Sequence, residues 1–353
     1  MRSTILFLVV SSAVFASSGI HTRTTCTVSS LADPLADDVP AITAALQTCG
    51  DDGSIVLPEN QTFQIRSPID LSPCRRCNFQ IDGTLNVSSD WGYWQTQNTI
   101  FTVSNTTNAI IDGSKTGTID GNNFGRTGDN GLLDHAPTLF SISQKSYQVY
   151  VRQLTIKNVP GIVFQVSSGS NAIRFQAIDF VTPAETGYLV EQAQHVYVYN
   201  NTIRATHSCV SILPNSSNVQ VEASTCITNG TAATSSGFEL RFGASAALQR
   251  IRNVFVKGIR GSFSTDVLAF RVGSAYAAPQ PVEITNVTFS EIVWDGRAHA
   301  AFELAEGRNA LTAKDVSLES FSGAVQEAAD LSCSNPTDVC DIEAKNWSVI
   351  VRG

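Results

Sequence analysis

At 353 residues the chain is long enough for two average domains or one long repetitive one. Its composition, 42% hydrophobic and 15% charged with 24 Gly and 12 Pro, is that of a turn-rich globular protein and excludes disorder. A formal net charge of −8 argues against nucleic acid or an anionic membrane as a partner, so an anionic polysaccharide would need a local basic groove.

The first predicted element is a secretory signal peptide over 1–18. Arg2 precedes the apolar run Ile5–Val10, and small residues follow at Ala13, Ala16, Ser17 and Ser18. The run is well short of the ~20 residues that cross a bilayer, and no later segment is apolar enough. The remaining 19–353 read as one extracellular, monomeric domain. Eight cysteines, Cys26, Cys49, Cys74, Cys77, Cys209, Cys226, Cys333 and Cys340, fit disulfides in an oxidising compartment. Cys74 with Cys77, and Cys333 with Cys340, could instead hold zinc. No His lies near either pair, so neither metal nor cofactor is expected. Asn-x-Ser/Thr sequons stand at Asn60, Asn86, Asn105, Asn200, Asn215, Asn229, Asn286 and Asn346, candidate glycosylation sites on an exported chain.

Residues 37–49 read as a short helix with Asp37 and Asp38 at its start, where acids favour the helix dipole. Ile42, Leu46 and Cys49 share one face. The helix would lid the first coil of a solenoid, tied by Cys26–Cys49.

Beyond it a short pattern recurs, a polar residue leading into alternating β-branched or aromatic ones. It reads Asn108-Ala-Ile-Ile-Asp112, Tyr147-Gln-Val-Tyr-Val151, Asn171-Ala-Ile-Arg-Phe175, Gln194-His-Val-Tyr-Val198 and Asn218-Val-Gln-Val221. Val149, Ile173, Val196 and Val219 are spaced by 24, 23 and 23 residues. Later copies, at Asn253 and Asn286, are wider apart. Turn clusters such as Ser168–Asn171 and Asn215–Asn218 separate two or three strand-like runs per interval. Alternation sends every second side chain inward, and a single coil cannot bury that row alone. Stacked coils can, which predicts an all-β fold, a single-stranded right-handed parallel β-helix. A propeller needs longer repeats of about 40–50 residues, and a sandwich keeps no fixed period.

Thr116-Gly-Thr-Ile-Asp-Gly121 resembles the coil signature of glycoside hydrolase family 28, the polygalacturonases and rhamnogalacturonan hydrolases. The lid helix, Gly53–Pro58 through Trp94, and Cys209–Asn218 resemble the fungal exo-acting polygalacturonases. The resemblance covers roughly 26–300. It implies a pectin-lyase-like β-helix, a pectic polysaccharide partner and an inverting mechanism, with one carboxylic acid on the leaving oxygen and carboxylates on the water.

The family's motifs are Asn-Thr-Asp, Asp-Asp, Gly-His-Gly and Arg-Ile-Lys, and here they are degenerate. Thr186 stands at the first acid, with Glu185 beside it. His207 and Ser208 stand at Asp-Asp. Gly230 or Ser236 takes the histidine position, and Arg271 is the one surviving cation, within 269–271 or 271–273. The resemblance pairs Cys209 with Cys226. General acid or base catalysis contributes about 10²- to 10⁴-fold per group, so losing both roles would abolish ordinary polygalacturonase turnover.

Three readings follow. In the first the chain is a non-catalytic relative that binds pectic polysaccharide. In the second it is an active glycosidase with a relocated site, built from Glu239 with His207 or Asp266. In the third it is a lyase or esterase, with only Arg241 and Arg271 as plausible cations and no acidic cluster for calcium. Each residue also has a plainer role. His207 reads as a surface polar group, Glu239 with Arg241 as an ion pair filling the groove floor, and Asp266 as a turn residue. Tyr188, Phe270 and Trp294 could stack on sugars but read more readily as core.

Overall fold

The computed structural model describes residues 23–122, 136–230, 235–243, 248–272, 281–305, 311–329, 331–333 and 338–352. The predicted signal peptide therefore lies outside the described residues. Among the described residues twenty-eight strands, from Thr25–Thr27 to Ser348–Val351, join one parallel sheet that winds on itself. The predicted repeat row is the core row: Ile173 stacks on Val196, then Val219, Val254, Val287 and Val316. Each of these residues is buried. Parallel strands joined by crossovers wind right-handed almost without exception, which gives the right-handed parallel β-helix.

Aromatic side chains continue the stacking inside. Phe101–Phe140, Phe140–Phe164 and Phe164–Tyr188 ring centroids lie 4.5, 5.3 and 5.2 Å apart, with planes within 18°. That spacing is set by the interstrand distance of about 4.8 Å. Tyr188, Phe270 and Trp294 are all buried, so none of them is a sugar platform. Burial alone pushes the Tyr188 phenol well above its ordinary value.

The lid helix runs Val39–Cys49 and buries Val39, Ile42, Leu46 and Cys49, with Cys26–Cys49 closed as a disulfide. Both acids stand at the helix start, and Asp37 Oδ1 accepts from the Val39 amide at 3.2 Å. No acidic residue lies in the first turn, and Asp38 makes no side-chain cap. Its buried carboxylate instead accepts from the Leu31 and Gln64 amides, both at 2.7 Å, tying the lid to the first coils. Cys74–Cys77, Cys209–Cys226 and Cys333–Cys340 are also disulfides, which leaves no thiolate for zinc at either short pair.

Each coil turns its corner through left-handed residues. Ala172, His195, Asn218, Asn253, Asn286 and Asp315 occupy one such corner in successive coils, all at positive φ. Asn tolerates this region better than most side chains because its short amide can bond locally. Here the amides also link the coils: Asn286 Nδ2 donates to Asn253 Oδ1 and Asn253 Nδ2 to Asn218 Oδ1, each at 2.9 Å. Of the sequon asparagines, Asn60, Asn105, Asn200, Asn215, Asn286 and Asn346 have positive φ and are exposed. Asn229 is exposed too, whereas Asn86 is half-buried and donates to Gln64.

Candidate functional site

Five strands build the candidate face: Ala184–Val190, Thr202–Ile212, Ser236–Phe242, Asp266–Val272 and Phe302–Ala305. Their register stacks the candidate residues on successive coils. Thr186 lies against Ser208, Ser208 against Ser236, and Ser236 against Asp266. Ser236, rather than Gly230, therefore continues the row. Glu239 lies against Ala269 and Arg241 against Arg271.

The pairing slips between Ala184 and Thr186, where the partner strand carries one extra residue near His207. Bulges re-aim side chains. The His207 side chain lies across the row, with Nε2 3.5 Å from Glu239 Oε2, an ion-pair distance rather than a tight hydrogen bond. Ser211 Oγ donates to the same oxygen at 3.0 Å.

Glu239 is the centre of the site and is only 1% exposed. Arg241 Nε and Arg271 Nε approach its Oε1 at 3.9 and 3.7 Å. Burial pushes this carboxyl up, but the His207 contact, the Arg241 charge and the Ser211 hydroxyl together outweigh it and hold it below the ordinary value. It is a buried carboxylate that its neighbours hold toward the charged form.

Asp266 is not a turn residue. It opens the strand Asp266–Val272 and is buried. Its partners are Arg271 Nη2 at 3.4 Å and His299 Nδ1 at 3.0 Å. Sequence reasoning missed three residues that complete this corner. Glu303 lies 2.9 Å from Arg271 Nη1, and His299 Nε2 lies 3.5 Å from Glu327. Burial pushes the Glu303 carboxyl up, and contact with Asp266 adds to it. Hydrogen bonding to Asp266 raises His299, against a smaller opposing effect of burial. The extra pairings across coils are set by register, and nothing local to Glu303 or His299 marks them.

Both raised groups make the stability of this corner depend on pH with the same sign. A folded pKa above the unfolded one gives stability that is complete below the unfolded pKa and fades as pH rises through the folded pKa. For His299 the loss starts above about pH 6.5. His299→Gln is therefore expected to narrow the gap in thermal midpoint between pH 5.5 and pH 8. An unchanged gap would remove His299 from the network.

Beside Glu239 a pocket of about 450 Å³ opens between coils, bordered by Glu191, Gln192, Asn215, Arg241, Gln249 and Arg271. Arg241 is the more exposed cation, at 43% of its side chain against 14% for Arg271. Ser208 Oγ, Ser236 Oγ and Glu239 Oε1 are buried and without hydrogen-bond partners. Among the described residues no group of three or more His, Cys, Asp or Glu could hold a metal ion. No helix among them is long and apolar enough to cross a membrane.

Known proteins match along most of the chain. Endo-xylogalacturonan hydrolase A of Aspergillus tubingensis is 28% identical over 348 residues, covering 90% of this chain and 82% of that one. A probable endo-xylogalacturonan hydrolase A of Emericella nidulans is 25% identical over 285 residues, covering 77% and 69%. The crystal structure of the Aspergillus tubingensis endo-xylogalacturonan hydrolase superposes with a TM-score of 0.79 at 24% identity, covering 93% of each chain. The polygalacturonase of Erwinia carotovora gives 0.58 at 17% identity, covering 94% of each. These two likenesses show the parallel β-helix. Residues 52–351, from just behind the lid helix through the last strand, match the profile of glycosyl hydrolases family 28, and the chain belongs to that family.

Proposed function

We propose that this protein is a secreted, single-domain, monomeric member of the family that binds a pectic polysaccharide without hydrolysing it as a polygalacturonase. The signal sequence at 1–18 and the four disulfides support an extracellular life, and the exposed sequons support glycosylation there. The names of the xylogalacturonan-hydrolysing relatives support an acidic pectic backbone as the ligand.

One observation carries the reading: among the described residues of these strands, the carboxylates Glu239, Asp266 and Glu303 are paired with cations, and only Glu185, exposed at the start of the first strand, is not. Glu239, Asp266 and Glu303 all touch the single Arg271 guanidinium. An inverting pair must instead face each other about 6.5–9.5 Å apart with room for sugar and water between them. Arg241 remains on the pocket wall, available to a uronate carboxylate.

A second reading, an active glycosidase of a related pectic polysaccharide with relocated residues, draws on Glu303. That side chain is about 35% exposed and its carboxyl is raised, as a proton donor's should be. It lacks a second carboxylate across open space, because Asp266 is bound to the same guanidinium.

The deciding experiment pairs a reducing-end assay with calorimetric binding on polygalacturonate and xylogalacturonan. Binding is expected, with hydrolysis at least about 10⁴-fold below that of a member retaining its acids. Robust turnover that disappears in Glu239→Ala or His207→Ala would sink the proposal. Turnover lost only in Glu303→Gln would establish the second reading.

A further inference from the structure

A different face of the solenoid carries its own row of half-exposed rings. Tyr150, Arg174, Tyr197, Gln220 and Phe255 stack on successive coils, outward from the Ile173–Val196–Val219 core row. All are partly or fully exposed. A solvated sheet face ordinarily alternates polar residues outward, so a recurrent aromatic there needs an account. Coils lie about 4.8 Å apart, which sets Tyr150, Tyr197 and Phe255, on every second coil, roughly 9–10 Å from one another. That interval is comparable to two hexose units of an extended chain. Tyr197 and Tyr199 lie parallel, 5.9 Å apart, and Tyr147 at the corner is 43% exposed.

Tyr147, Arg174, Tyr197, Gln220 and Phe255 line a surface pocket of about 810 Å³, with Tyr150 and Tyr199 outside it. The corner amides of Asn218 and Asn253, held at 2.9 Å, form one rim, and His195 Nδ1 continues it 3.1 Å from Asn171 Oδ1. Arg174, one of the lining residues, is exposed and makes no ion pair among the described residues. No Asp or Glu is among the residues lining this pocket. Aromatic bodies with polar tips, an amide rim and one unpaired guanidinium suit a chain with apolar sugar faces, hydroxyl edges and carboxylates.

We propose that this face is a second binding site, for an acidic polysaccharide chain laid along the coil axis, with Tyr147, Tyr197 and Phe255 against its sugar rings and Arg174 on a carboxylate. It lies on the strands Asn171–Gln176, Gln194–Tyr199, Ser216–Glu222 and Gln249–Ser262, distinct from the Glu239 strands. It rests on the pectic reading only for the choice of probe. Two sites on one rigid rod would hold a long polymer more tightly than either alone.

The test is calorimetric titration of the full chain with a galacturonate oligomer long enough to span four coils, and with its fully methyl-esterified form. Arg174→Glu with Tyr197→Ala is expected to weaken one class of site by roughly tenfold or more, leaving the other intact. Esterification is expected to weaken that same class. Arg174→Glu alone changes only an exposed side chain, so a folding defect in the double variant leaves a usable reagent. If Arg174→Glu binds as wild type does, or if Arg241→Ala alone abolishes all binding, this proposal is overturned and the pocket beside Glu239 is the whole site. If binding survives Arg241→Ala and is lost with Arg174→Glu, the second site stands and binding at the Glu239 pocket falls. No binding of either probe to wild type overturns both.

Discussion

Arg271→Met is expected to cost roughly 3–5 kcal/mol of stability at pH 7, far more than any other single charge change on this face. The guanidinium is mostly buried and holds three carboxylates, at 3.7 Å for Glu239, 3.4 Å for Asp266 and 2.9 Å for Glu303. Removing it leaves two buried anions short of a partner, Glu239 with Arg241, His207 and Ser211 and Asp266 with His299, while Glu303, about a third exposed, contributes less. The Glu303 carboxyl is already raised by burial and held back by Arg271, so with Arg271 gone it takes up a proton more readily than in the unfolded chain. The deficit should therefore shrink as the pH is lowered through about 4. Arg271→Lys keeps the charge but replaces a fork by a point, so an intermediate loss is expected. Arg241→Met, at a side chain 43% exposed, should cost less than about 1 kcal/mol. Urea midpoints at pH 7 and pH 4 measure all three. A deficit for Arg271→Met below about 1 kcal/mol, or one independent of pH, would show that the network does not hold this face.

The paired substitution Cys209→Ala with Cys226→Ala is the other large effect, about 3 kcal/mol from chain entropy for a bridge with a sequence separation of 17. Both half-cystines are fully buried, so lost packing adds to that figure. The bridge joins the strand Thr202–Ile212 to Thr225–Thr228, directly behind Ser208. Its loss is expected to weaken ligand binding beside Glu239 as well as the thermal midpoint, because Ser208 and His207 lose their anchored strand. Removing Cys333–Cys340, which spans a separation of 7 and is only partly buried, should leave binding there unchanged. Equal binding losses in the two double variants would contradict this account.

The fold was legible because a solenoid writes its period into the chain. The Ile173–Val196–Val219 spacing is the coil itself, and register confirmed it residue by residue. The lid helix was legible from Ile42, Leu46 and Cys49 on one face, but the use of Asp38 was not. Its partners Leu31 and Gln64 are brought near only by winding. The Glu239 cluster was half legible. Alternation put Glu239 and Arg241 on the groove side, and the motif spacing brought in His207 and Arg271. Glu303 and His299 come from a coil further on, beyond the segments where the family motifs lie. Coil length had by then departed from the regular interval, so no periodic rule could say which residue would land over Asp266.

The left-handed corners bear on how carbohydrate attachment would be studied. At Asn60, Asn105, Asn200, Asn215, Asn286 and Asn346 the residue that would carry a glycan also sets a sterically restricted bend. Exchanging such an asparagine for glutamine alters the bend along with the sugar. A fall in secretion or melting temperature would then report backbone geometry as much as glycan loss. Replacing the hydroxyl residue two places on, Thr62 for Asn60 or Thr288 for Asn286, removes the acceptor signal and leaves the corner intact.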